Sequence, residues 1–174
     1  MSNATIDLLD KHLKRKTLKA LSLNDNHTKH QLSVEHLINS DKECFDFDNF
    51  DKKNCTVDAL EFSLDTYYLI EFKDERVYNF SHNWQKTMEI ISKVFQSINE
   101  IIKLYLKNNI SKIEFYSKKI EVVVVFSSLK STDFNDFKTL QTILTEKYGN
   151  FFEIDILNEK MFIEDYLNTN KVGI

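Results

Sequence analysis

Residues 120–128 read IEVVVVFSS, and the four valines between Glu121 and Phe126 leave few ways to fold. A strand exposed on one side alternates apolar and polar residues, whereas this run is apolar at successive positions. It therefore predicts a strand covered on both faces. The chain has 174 residues, 42% hydrophobic and 13% aromatic. That is enough apolar material for one compact core, so a single domain is expected. Ser2, Asn3 and Ala4 look like the remnant of a cleaved tag, which puts the domain at residues 5–174.

Periodicity fills in the elements around this strand. Ile6, Leu9, Leu13 and Ala20 recur at helical spacing beside Lys11, Lys14, Arg15, Lys16 and Lys19, predicting an amphipathic helix with a basic outer face. QLSVEHLINS (31–40) predicts a short second helix, and the acidic stretch DKECFDFDNFDKKN a loop. TVDALEFS (56–63) and TYYLIEFK (66–73) both alternate, as strands joined by a turn at Leu64 and Asp65 do. A long helix from Ser81 to Lys107 carries Trp84, Met88, Ile91, Phe95, Ile98, Ile102 and Tyr105 as its stripe. KIEFYS reads as a strand before the valine run. Thr132 caps a helix buried through Phe134, Phe137, Leu140, Leu144 and Tyr148 and ended by Gly149. FFEIDIL is a last strand and MFIEDYL a terminal helical turn. The order predicts an α/β domain with a mixed central sheet flanked by helices.

Several function classes find no residues to carry them. A net charge of −4 argues against tight, sequence-independent binding of long duplexes, which draws its affinity from cations on phosphates. It leaves room for a local basic site. Gly149 and Gly173 are the only glycines, so no glycine-rich phosphate loop exists. His12, His27, His30, His36 and His82 lie at no metalloprotease spacing, and Cys44 and Cys55 read as reduced thiols. No run approaches the roughly 18 apolar residues of a membrane span, and MSNATIDLL lacks a signal core, so a cytoplasmic protein without a membrane partner is expected.

The hairpin carries the chemistry. On residues 66–73, Tyr67, Leu69, Glu71 and Lys73 share one face. A turn centred between Leu64 and Asp65 sets Asp58 directly opposite Glu71. Cross-strand partners stand about 4.5–5.5 Å apart at Cβ, where two like charges repel unless a cation joins them. Lys73 is one such cation. A Mg²⁺ or Mn²⁺ ion is the better match, since hard ions take oxygen ligands and commonly use one or two carboxylates plus waters and phosphate. The site depends on register, because a shift by one residue turns Asp58 to the other face.

Asp58, twelve intervening residues and Glu71-Phe72-Lys73 on an apolar strand resemble the D…(D/E)xK core of the PD-(D/E)XK nuclease superfamily. The element order resembles its restriction-endonuclease-like αβββαβ core. Val57 stands where the name-giving Pro would be. The resemblance implies a nuclease acting on DNA or RNA, with Asp58 and Glu71 holding the metal and Lys73 assisting the attacking water. It also implies a further acidic ligand from a preceding helix, for which Glu35 is the candidate and Glu43 the reserve. No QxxxY follows on the long helix. Lys14, Arg15 and Lys86 are the candidate nucleic-acid contacts, while Lys93 faces either phosphate or solvent.

A second class keeps the fold without the catalysis. A Glu and a Lys two apart on a strand face can simply pair. A small acidic chain rich in Lys, Asn, Ile and Phe, as from an AT-rich bacterial genome, also fits an immunity or antitoxin protein. Its acidic runs Asp41–Asp51 and Glu153–Asp165 would then meet a basic toxin or other protein. A homodimer is compatible with either reading.

Overall fold

A computed structural model describes residues 4–23, 35–48, 50, 55–63 and 65–172. His27, His30, Leu32 and the Leu64 turn position lie outside the described residues, as do Ser2 and Asn3. The chain runs α1 (Ala4–His12), β1 (Arg15–Thr17), α2 (Leu18–Leu21), β2 (Glu43–Asp46), β3 (Ala59–Ser63), β4 (Thr66–Lys73), α3 (Val77–Ser81), α4 (Trp84–Lys107), α5 (Lys112–Tyr116), β5 (Lys119–Phe126), α6 (Phe134–Tyr148), β6 (Glu153–Asn158) and α7 (Glu159–Phe162). A π turn over Ile163–Leu167 follows α7.

The six strands form one mixed sheet in chain order. β1 to β4 pair antiparallel, and β4, β5 and β6 run parallel. The valine strand β5 therefore sits between two parallel neighbours and feeds both cores. Val122, Val124 and Phe126 join the cluster under α1, α4 and α6, while Val123 and Val125 join one built from Leu18, Leu37, Ile38, Phe162 and Tyr166. The expected α/β architecture is present, with the sheet between two apolar layers. Among the described residues no helix is long and apolar enough to cross a membrane.

Several local expectations give way to tertiary pairing. The basic segment is not one helix. α1 stops at His12, and Arg15–Thr17 becomes an edge strand on β2 because the main chain finds partners there: Arg15 pairs with Phe45 and Thr17 with Glu43. The acidic stretch is not all loop. In β2, Cys44 and Phe45 point into opposite cores, and Asp46 is buried against Lys16 at 2.6 Å. Residues 35–40 are bends and a bridge from His36 to Leu23 rather than a helix. KIEFYS folds as α5, since both edges of β4 are already taken by β3 and β5. Ser111 caps it at Ile113 N–H, and Phe115 alone enters the core. Asp133, one residue beyond Thr132, caps α6 by accepting from Asn135 N–H.

The buried stripe of α4 is rotated from the expected one. Trp84 and Phe95 are 45% and 42% exposed, while Thr87, Ile90, Ile91, Val94, Ser97, Ile101, Leu104 and Tyr105 face the sheet. Phe95 packs sideways on Tyr148 and Phe152, with ring centroids 6.2 and 5.9 Å away. The sheet-facing row tolerates polar residues because each has a partner. Thr87 Oγ1 donates to Phe80 O at 2.6 Å, and Ser97 Oγ donates to Lys93 O while accepting Val57 N–H at 3.0 Å. Gln96 Oε1 accepts Cys55 N–H at 2.8 Å, so α4 grips the residues leading into β3. Ser97→Ala leaves the Val57 N–H buried without an acceptor and is expected to cost about 1–3 kcal/mol. A denaturation midpoint equal to wild type would show that the clamp carries no stability.

Candidate functional site

The β3/β4 register matches Ala59 with Ile70 and Leu60 with Leu69. Asp58, one residue before β3, is therefore placed across from Glu71, as the hairpin geometry predicts. Its position is fixed on both sides. Asp58 Oδ2 accepts Phe72 N–H at 2.7 Å, and Asp58 O accepts Phe47 N–H at 3.3 Å. Glu71 is fully buried, next to Val124 of β5. Both acids lie at the carboxyl end of β4, where open α/β sheets place their ligand sites.

Two ammonium groups meet this pair. Glu71 Oε1 is 2.7 Å from Lys73 Nζ and 2.7 Å from Lys93 Nζ. Lys93 Nζ also stands 3.6 Å from Asp58 Oδ1. The two ammoniums offset part of the cost of burying the acids. Glu71 Oε2 is buried with no hydrogen-bond partner. Burial, and then the Glu71 carboxylate, push the Asp58 carboxyl up to about 7, against the opposing pull of Lys93. Burial alone would lower the Lys93 ammonium, but Glu71 and Asp58 outweigh it and raise it.

The donor set fits a hard divalent cation. An orphaned carboxylate oxygen and a second carboxylate on the same face offer one ion two protein oxygens, leaving further positions for water and phosphate. Among the described residues no group of three or more His, Cys, Asp or Glu converges as a metal cage.

The other candidate residues fall elsewhere. Glu35 is solvent-facing, 3.7 Å from His36 Nε2, in a segment whose Leu37 and Ile38 pack on the opposite core. Glu43 is exposed at the start of β2. Lys14 is exposed between α1 and β1. Arg15 is committed inward, with Nη1 2.8 Å from Glu61 Oε2 and its guanidinium 3.9 Å over the Phe45 ring. Lys86 pairs with Glu75. Lys93 is turned away from open solvent; it is 18% exposed and directed onto Glu71. Its place between Ile90 and Ser97 on the buried row was the signal for this, hidden by the rotated stripe.

The raised Asp58 carboxyl makes stability depend on pH. Between about 4 and 7 the folded chain holds a proton that the unfolded chain has released, so this group's contribution to stability falls as pH rises. Asp58→Asn keeps an acceptor for Phe72 N–H and removes the titration. The stability of wild type relative to D58N is therefore expected to fall from pH 4 to pH 7 in denaturant titrations, and a difference independent of pH would refute the assignment. No family model matches the chain, and no curated protein or solved structure matches it either.

Proposed function

We infer that the chain is a Mg²⁺- or Mn²⁺-dependent nuclease of the PD-(D/E)XK kind, hydrolysing phosphodiester bonds of DNA or RNA in the cytoplasm. One observation carries this reading: Asp58 and Glu71 converge at the carboxyl end of β4, with Lys73 on Glu71 and one Glu71 oxygen left without a partner. An αβββαβ core would correspond to α1, β2–β3–β4, α4 and β5, with β1, α2, α3 and α5 as insertions and α6, β6 and α7 as additions.

The residues divide the work. Asp58 and the free oxygen of Glu71 would hold the ion, which when bound supplies a Lewis acid and lowers the pKa of a coordinated water. Phe72 N–H fixes the Asp58 carboxylate, and the β3/β4 ladder that starts at the next residue sets it across from Glu71. Lys73 is 16% exposed, with its Nζ 2.7 Å from Glu71 Oε1. There its ammonium orients the attacking water and stabilises negative charge as it develops on the phosphate. Exposed Lys14 remains available for the nucleic-acid backbone.

Cleavage of single- and double-stranded DNA and RNA is expected in Mg²⁺ or Mn²⁺ and not in EDTA. Lys73→Ala should lower the rate by about 10²–10⁴-fold, the usual worth of a positioned proton-transfer or charge-stabilising group. Absence of cleavage in both metals, together with a 1:1 protein complex that survives Asp58→Asn, Glu71→Gln and Lys73→Ala, would replace the enzyme with a binding protein.

A further inference from the structure

Lys93 enters the centre from α4, across from the strands that carry the acids. Its Nζ bridges the pair, 2.7 Å from Glu71 Oε1 and 3.6 Å from Asp58 Oδ1, whereas Lys73 is paired with Glu71. Centres that use two metals hold the ions about 3.5–4 Å apart as a clamp on the attacking and leaving oxygens. At Glu71 Oε1 the two cations present are both ammoniums. The protein oxygens a metal could take are Glu71 Oε2, which has no partner, and those of Asp58, where Oδ2 accepts Phe72 N–H and Oδ1 lies 3.6 Å from Lys93 Nζ. Among the described residues no third acidic, histidine or cysteine group joins them.

This donor set serves one ion. Resting on the reading of the site as a divalent-metal centre, we propose that Lys93 is a built-in second cation that stands where a second divalent ion would, restricting the centre to one ion and lowering its affinity for that ion. The helix makes that placement rigid. One turn on from Lys93, Ser97 holds Val57 N–H and Gln96 holds Cys55 N–H, so the segment leading to Asp58 and the ammonium beside it move as one. Lys93 thus acts through the two carboxylates, as a fixed charge that competes with the ion.

Mn²⁺ binding to the full chain tests this, with affinity from titration calorimetry and the number of bound ions from electron paramagnetic resonance. Wild type is expected to bind one ion. Lys93→Met keeps the stem and removes a repelling charge, so it should bind Mn²⁺ at least about tenfold more tightly. Lys93→Arg keeps the charge and should stay within about threefold of wild type. A lysine that only braces the two carboxylates would give weaker binding in Lys93→Met, and that result would overturn the inference. Two ions on wild type or on Lys93→Arg would overturn the inference even if Lys93→Met does not fold. One ion on wild type with no gain in Lys93→Met would overturn it and leave the metal reading standing. No binding to wild type or to Lys93→Met would remove both.

Discussion

The Glu71 carboxylate is the constraint around which this end of the molecule is arranged. A fully buried carboxylate costs several kcal/mol in lost hydration unless charge and hydrogen bonds replace the water. Here the replacement comes from two directions, Lys73 along the same strand and Lys93 from α4, both on the same oxygen. Because the second oxygen receives nothing, the carboxylate is compensated in charge but not fully in hydrogen bonds. A core built only for stability has no use for an orphaned carboxylate oxygen.

A contrast stands on the other face of the sheet. Glu121 of β5 and Asp155 of β6 also converge, and there the buried Tyr166 hydroxyl lies between them and hydrogen-bonds to both. Burial, and then those two carboxylates, push the phenol up from its usual range. That pair is closed off by a neutral donor from the C-terminal segment. The Asp58–Glu71 pair is instead met by the ammoniums of Lys73 and Lys93, which keep some access to solvent, and Glu71 Oε2 is left without a partner. The two sites show acidic convergence closed by one neutral hydroxyl in the first case and met by two ammoniums in the second.

How much of this could be read from the sequence depended on whether the signal was local. The valine run announced a doubly covered strand because nothing else satisfies four adjacent β-branched residues, and β5 has that environment. The hairpin register was legible because the short turn and the alternation of both strands agree on one pairing. What could not be read was set by partners distant in sequence. Arg15–Thr17 has the composition of a basic helix but pairs with a strand nearly thirty residues on. KIEFYS alternates like a strand but finds both sheet edges beside β4 taken. The stripe of α4 was misjudged because its large aromatics pack sideways on α6 and the α6–β6 turn, while small polar residues face the sheet. That same rotation turned Lys93 inward.

α4 links the fold to the chemistry. Along one side it buries Ile90, Val94 and Ile101 on the sheet, and in the middle of that row it delivers Lys93 to the acids and Ser97 to the strand entry. The most direct test of the account is anomalous diffraction from crystals soaked in Mn²⁺. The account predicts a single peak in coordinating reach of Asp58 and the free Glu71 oxygen, with Lys93 still beside Glu71. Density free of any such peak, with both acids bound only to their lysines, would contradict it.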